Sequence, residues 1–182
     1  MPLGAALALE SVLLIAAAAS LALGVIADPR IDRIAPWVRW IVSAAPLVEL
    51  CACIAATVML RRRAKTSAAR VMPAMAGAFA IDIAFFVLAA AALRWLCAEP
   101  DALPFAAWCG WLALAWVVGY VTPGAPGGLG LREAVLVLGL SPVVGDAEAM
   151  AVALAYRLVT VVADALLAGG GFLLRHEAGE SG

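Results

Sequence analysis

Residues 122–133 read TPGAPGGLGLRE, and this stretch decides how the rest of the chain is interpreted. It combines prolines and glycines with an adjacent Arg132–Glu133 pair, and it lies between two apolar runs. Proline removes a backbone donor and glycine loosens a helix. Within a bilayer, such irregular backbone survives only where protein or a water-filled cavity surrounds it. The stretch therefore predicts a broken, re-entrant segment inside a membrane protein.

The composition supports a membrane location. The chain has 182 residues, of which 66% are hydrophobic and 14% are charged, whereas soluble domains are about half apolar and a quarter charged. The fold class we predict is all-α, a polytopic transmembrane helix bundle. No polar segment exceeds a short loop or tail, which leaves no room for a separate catalytic domain. We expect no enzyme activity, no cofactor, no metal site and no nucleic-acid partner.

The apolar runs predict one integral membrane domain over residues 1–174 and a polar tail over 175–182. A spanning helix needs about 20 apolar residues, and the run at 131–140 has about half of that. Whether this half-helix crosses the membrane or turns back is open, and Asp146 is a plausible N-cap for the helix that follows it. The predicted elements are spans at about 3–26, 37–60, 71–93 and 105–121, the half-helix at 131–140, and a span at 147–174.

The distribution of basic residues predicts the orientation. Residues 61–70 read RRRAKTSAAR and should stay cytoplasmic, which also places the N-terminus in the cytoplasm. Trp37, Trp40, Trp95 and Trp108 then fall at span ends on the other side, as an interfacial aromatic belt would. No basic residue precedes the first apolar run, so we expect an uncleaved span rather than a signal peptide.

The four cysteines are interpreted as small apolar fillers. Cys51 and Cys53 lie inside a predicted span, where a helix would point them in different directions. Cys97 and Cys109 flank a loop, and a disulfide between them is the alternative if that loop is periplasmic.

The half-helix after the break offers a site for an anion. A helix beginning near Gly130 has free N–H groups at its N-terminus and the positive end of its dipole there. Together with the amides of Gly127 and Gly128, these groups suit a phosphate or a carboxylate. The alternative is an ordinary extramembrane loop, although this does not explain why the next apolar run is too short to span.

Several charged residues lie inside predicted spans, where each costs about 2.5–3.5 kcal/mol on insertion scales. Arg157 and Asp164 are seven positions apart, so they share a helix face and can line one cavity. Tyr156 is expected to point elsewhere. Glu133 is the natural partner for Arg157, which leaves Arg132 to meet a ligand anion. The alternative is that Arg132 and Glu133 sit at the interface and only snorkel.

Three further acids lie in the earlier spans. Glu10, Glu49 and Asp82 are interpreted either as polar contacts that hold the bundle together or as proton carriers. Pro46 lies one turn before Glu49 and is expected to kink that span. For Glu10, structural pairing is favoured over proton transfer.

PGGLGLREAVLVLGL, followed by AVALAYRLVTVVADALLAGGGFLL, resembles the C-terminal part of the lysylphosphatidylglycerol synthase transmembrane family, also described as flippase-like membrane proteins. The resemblance is strong over residues 119–174 and weaker upstream, where Glu10 remains but Ser11 stands in place of an expected arginine. The positions that match the family pattern are Pro126, Gly127, Gly128, Gly130, Glu133 and Arg157.

The resemblance implies a multi-pass bacterial inner-membrane protein that binds or moves a lipid with an anionic head group. Members resemble translocators of aminoacylated phosphatidylglycerol, and others are associated with hopanoid, polyprenyl-linked or glycolipid pathways. Members usually have about twice as many spans, so a homodimer or a partner membrane subunit is expected to supply the rest. The alternative function is a non-transporting accessory subunit of a larger membrane complex.

Overall fold

Every regular element in the described residues is helical. The computed structural model describes residues 3–28, 30–31, 36–44, 68–122 and 130–180. Short 3-10 turns occur at Leu23–Ala27 and Pro100–Ala102. The all-α prediction is confirmed. The helices are α1 (Leu3–Ala22), α2 (Pro36–Ser43), α3 (Ala68–Trp95), α4 (Phe105–Val121), α5 (Leu131–Val144) and α6 (Asp146–Glu180).

Helix α4 is the centre of the bundle, since it packs against α1, α3 and α5. Its residues 107–115 are all buried, which explains why it is apolar on every side. The 3-10 turn after α1 approaches α4 at backbone distance. A Cβ on Gly24 would lie 2.0 Å from the carbonyl oxygen of Ala106, and one on Gly110 would lie 2.1 Å from the amide nitrogen of Val25. Only glycine fits at this crossing.

Helices α3 and α6 carry the outward apolar surface. Residues Ala76–Trp95 and Asp146–Gly170 are long and apolar enough to cross a membrane, yet only 17% of each is buried in the bundle. Ile81, Leu88 and Leu167 are each 70% exposed or more. Continuous apolar exposure of this kind is unfavourable in water and is normal against lipid. These two helices agree with the predicted membrane location.

Helix α5 extends four residues beyond the predicted end at residue 140, because Pro142 does not break it. Proline removes one intrahelical hydrogen bond, and here the helix continues to Gly145, whose φ of +86° ends it. Helix α6 then begins at Asp146, so Asp146 lies in the first turn rather than at the N-cap. Glu133 and Arg157, equally distant from Gly145 along the chain, pair across the two helices. Helix α5 therefore turns back into α6, which runs on through Glu180 into the predicted tail.

Several predictions fall outside the described residues. The second predicted span is described only as α2, up to Ser43, and its continuation with Glu49, Cys51 and Cys53 lies outside. The same holds for residues 123–129, which include Gly127 and Gly128, and for the side chain of Glu10. The re-entrant character of the Pro-Gly segment stays a prediction.

The predicted aromatic belt is wrong at one of its tryptophans, whereas the buried cysteines agree with their predicted role. Trp95 is 87% exposed and Trp40 is 79% exposed, as an interfacial belt requires, but Trp108 is fully buried because other helices enclose α4. Trp37 has its side chain outside the described part of the chain. Cys97 and Cys109 are both buried with free thiols, which agrees with their interpretation as small apolar fillers and not with the disulfide alternative.

Candidate functional site

A cavity of about 320 Å³ opens between α3, α4, α5 and α6. The start of α5 supplies two charged side chains, and α6 supplies two more from the opposite wall. The cavity thus brings together Arg132, Glu133, Arg157 and Asp164, all of which the sequence predicted as candidate site residues. The polar and aromatic residues that line it are Phe85, Trp116, Arg132, Glu133, Tyr156, Arg157, Thr160 and Asp164.

The guanidinium of Arg132 lies over the indole of Trp116. Its central carbon is 3.8 Å from the ring centroid, a close cation–π contact. The Nε atom of Arg132 is buried and has no hydrogen-bond partner among the described residues. No carboxylate in the described part of the chain forms a salt bridge with Arg132. The site therefore contains a positioned cation whose hydrogen-bonding capacity is not used up.

Gly119 on α4 makes room for this arginine. A Cβ on Gly119 would lie 2.6 Å from Cγ and 2.8 Å from Nε of Arg132. These atoms belong to the middle of the side chain, so they cannot move aside without changing the whole rotamer. The absence of a side chain at Gly119 therefore sets the path that Arg132 takes to Trp116.

Glu133 connects the start of α5 to α6. Its Oε2 atom accepts a hydrogen bond from the N–H of Gly130 at 2.8 Å, which caps the helix. Its Oε1 atom lies 3.8 Å from Nε of Arg157. At that distance the contact is an ion pair rather than a hydrogen bond. The predicted pairing of Glu133 with Arg157 is present at this distance.

Aromatic side chains fix the position of Trp116. Phe85 and Phe86 of α3 meet its ring edge-on, with centroids 5.9 and 5.8 Å away. Tyr156, only 8% exposed, lines the cavity beside Arg157, so the prediction that it points elsewhere is wrong. Adjacent residues on a helix point in directions about 100° apart. The cavity is wide enough for both Tyr156 and Arg157 to line it.

A second polar cluster was not found by sequence reasoning. Asp28 is fully buried, and its carboxylate accepts hydrogen bonds from Nε and Nη2 of Arg30 at 3.0 and 2.9 Å. The indole N–H of Trp111 donates to the same carboxylate at 3.1 Å. Burial alone would raise the pKa of Asp28, but the hydrogen bonds from Arg30 and Trp111 outweigh it and hold the pKa below 3.8.

Two of the acids predicted to have a coupling or structural role, Asp82 and Asp164, lie among the described side chains. Asp164 lines the outer part of the cavity and is exposed. Asp82 is half-buried on α3 and takes part in a polar or electrostatic interaction. The roles assigned to Gly127, Gly128, Glu10 and Glu49 concern groups outside the described residues and stay predictions. No sequence signal distinguished Trp116 or Gly119 from the other apolar residues of their helix.

Comparison with known proteins identifies the family to which the chain belongs. Residues 1–168 match the family described as the lysylphosphatidylglycerol synthase TM region. The chain belongs to this family. The match extends over the upstream part, where the resemblance had looked weak, and it includes the helices that enclose the cavity. Neither a curated protein nor a solved structure gives a significant match.

Membership in the lysylphosphatidylglycerol synthase TM region family agrees with the long apolar helices. Both identify a membrane protein, and the family points to a function related to membrane lipids. All the residues that line the cavity at the start of α5 lie within the matched residues 1–168.

Proposed function

We propose that this protein binds the anionic head group of a membrane lipid in the cavity at the start of α5 and moves the lipid in the manner of a flippase. The proposed role is binding and movement without chemical conversion of the lipid. The backbone N–H groups of Gly127, Gly128 and Gly130 would donate further hydrogen bonds to the head group if the Pro-Gly segment is re-entrant.

One observation carries the proposal: the guanidinium of Arg132 is stacked on Trp116 with its Nε atom unpartnered among the described residues. A guanidinium stacked by its face keeps its edge N–H groups available, and that edge matches the oxygens of a phosphate. A charge in the membrane without a counter-charge costs about 2.5–3.5 kcal/mol or more. A bound phosphate would give Arg132 the salt-bridge partner that no described carboxylate provides.

Arg157 supports the same proposal from the opposite wall. It lines the cavity with Arg132, while Glu133 contacts it at 3.8 Å. This distance leaves the Arg157 guanidinium only loosely engaged, so an arriving phosphate competes with Glu133 for it. Glu133 would then keep its bond to the N–H of Gly130 and hold α5 in place.

The proposed setting is a multi-pass protein of the bacterial inner membrane with a cytoplasmic N-terminus. Its proposed partners are a membrane lipid and either a second copy or another membrane subunit. The positive-inside rule, applied to residues 61–70, supports this orientation. The volume of the cavity, about 320 Å³, fits a head group rather than acyl chains, which would lie outside along α3 and α6.

A non-transporting accessory subunit is the second candidate, and one observation favours it. Residues 161–170 of α6 are all exposed, so the described part of the chain leaves this stretch of the helix uncovered. Such a face suits a neighbouring membrane helix as well as lipid.

Reconstitution into vesicles separates the two candidates. We expect wild-type protein to move a fluorescent phosphatidylglycerol analogue from the inner to the outer leaflet of the vesicle. There an external quencher reduces its fluorescence. Arg132→Ala and Arg157→Ala should lose this activity while remaining monodisperse in detergent. Lipid movement that is absent in wild type, together with co-purification of a stoichiometric partner, would favour the accessory subunit.

A further inference from the structure

A second and larger cavity, which we call the α5 groove, lies on the other side of α5. Its volume is about 790 Å³, and it shares no lining residue with the Arg132 cavity. Its walls are mainly apolar, because Val137, Leu138 and Pro142 of α5 line it together with Met150 of α6. Leu138 and Met150 are 38% and 47% exposed, so apolar surface is open within the groove.

The charged groups of the α5 groove give it a net negative charge. Arg30 lines it, but Nε and Nη2 of Arg30 donate to the buried carboxylate of Asp28, so these two charges cancel. Asp146 lines it as well, and this exposed carboxylate forms no salt bridge or hydrogen bond with the described residues. The charge that remains is that of Asp146, which attracts a cation and repels a phosphate.

Two uncharged oxygen atoms of α5 favour a cation in the same groove. The hydroxyl oxygen of Ser141 is buried and makes no hydrogen bond with the described residues. The carbonyl of Leu138 lacks its usual intrahelical donor, because Pro142 has no N–H. Acceptors that are left without a donor beside apolar walls are costly. An ammonium group carries N–H donors and no acceptor, so it can bond to these oxygens and to Asp146 together.

We propose that the α5 groove binds an amphipathic amine, with its ammonium group on Asp146, Ser141 and the carbonyl of Leu138 and its alkyl chain along the apolar walls. The ligand is a free amine without a phosphate, since a phosphate would add negative charge beside Asp146 while Arg30 is already paired. The volume lies within the range of about 300–1,000 Å³ that is usual for ligand sites. This site goes beyond the proposed function, because it uses none of the residues around Arg132.

Isothermal titration calorimetry with octylamine tests the requirement for a positive charge. Octanol has the same alkyl chain without the charge, and both ligands are titrated into the protein in phosphatidylcholine nanodiscs, with empty nanodiscs as the blank. At neutral pH we expect wild type to bind octylamine about tenfold more tightly than octanol, equivalent to about 1.4 kcal/mol. Equal affinities for the two ligands would overturn the proposal. Because this comparison uses wild type, it does not depend on how a variant folds.

Substitution of Asp146 by asparagine removes the uncompensated charge and keeps the shape of the α5 groove. We expect Asp146→Asn to lower the affinity for octylamine about tenfold and to leave the binding of octanol unchanged. Glu99→Gln is the matched control, because Glu99 is exposed and lines neither cavity. Leu138→Trp fills the groove and should weaken the binding of both ligands. Equal octylamine affinities for Asp146→Asn and Glu99→Gln would contradict the role of Asp146.

Two further measurements separate this site from lipid binding. Arg132→Gln should bind octylamine as wild type does, and a changed affinity would place the amine in the Arg132 cavity and refute the groove assignment. Loss of phosphatidylglycerol binding in Arg132→Gln bears only on the proposed function. Phosphatidylethanolamine carries an ammonium group next to a phosphate, and its addition to the nanodiscs should leave octylamine binding unchanged. Displacement of octylamine by this lipid would mean that a lipid head group occupies the groove and that the free-amine proposal is wrong.

Discussion

Substitution of Gly119 by alanine tests whether the packing of α4 positions Arg132. In an isolated helix this change is favourable by up to about 1 kcal/mol, because alanine is the better helix former. In this protein the new Cβ would lie 2.6 Å from Cγ of Arg132, closer than carbon atoms tolerate. The Arg132 side chain must therefore leave its position over Trp116.

The expected cost falls on lipid binding more than on folding. Arg132 would lose a cation–π contact worth about 0.5–2 kcal/mol. The bound phosphate would lose a charge-assisted hydrogen bond worth about 1.5–3 kcal/mol, and thus about 10- to 150-fold in affinity. Because the helix gains from alanine, the thermal stability of the free protein should change little.

The assay is quenching of tryptophan fluorescence by phosphatidylglycerol with brominated acyl chains, titrated in detergent. Gly77→Ala is the matched control, because a Cβ on Gly77 meets nothing within 4 Å. We expect Gly77→Ala to bind as wild type does and Gly119→Ala to bind at least tenfold more weakly. Wild-type affinity in Gly119→Ala would refute the claim that this glycine directs Arg132.

Three further perturbations have defined outcomes. Trp116→Leu should weaken phosphatidylglycerol binding by about 0.5–2 kcal/mol in the same titration, because Arg132 loses the ring beneath it; an unchanged affinity would count against the stacking. Glu133→Gln should bind the lipid more tightly, since Arg157 loses its competing acid, whereas weaker binding would mean that Glu133 positions Arg157 for the ligand. Since the pKa of Asp28 is lowered on folding, its contribution to stability is present above pH 3.8 and is lost as the pH falls below it. Thermal unfolding should show this loss below pH 4 in wild type but a smaller one in Asp28→Asn.

The sequence predicted two features of the structure correctly: the boundaries of α4 and one ion pair between α5 and α6. The span predicted at 105–121 is the observed α4, because Pro104 and the proline after Thr122 delimit an uninterrupted apolar run. The pairing of Glu133 with Arg157 was also predictable, since two opposite charges in adjacent apolar helices have few other partners.

Packing between helices decided the features that the sequence did not predict. Trp95 and Trp108 both fall near span ends, yet one is exposed and the other buried, because only α4 is enclosed by its neighbours. Trp116 and Gly119 matter through their contacts with Arg132 on another helix, which no local pattern encodes. The half-helix was predicted to end at residue 140, but the backbone reverses only at Gly145.

The recognition of phosphate by Arg132 is tested most directly by a thermodynamic cycle. Affinities for dioleoylphosphatidylglycerol and dioleoylglycerol would be measured on wild type and on Arg132→Gln. We expect wild-type Arg132 to favour the phosphate-bearing lipid at least about tenfold, and Arg132→Gln to bind the two lipids equally. An undiminished preference in a folded Arg132→Gln protein would contradict the assignment of Arg132 as the phosphate-binding group.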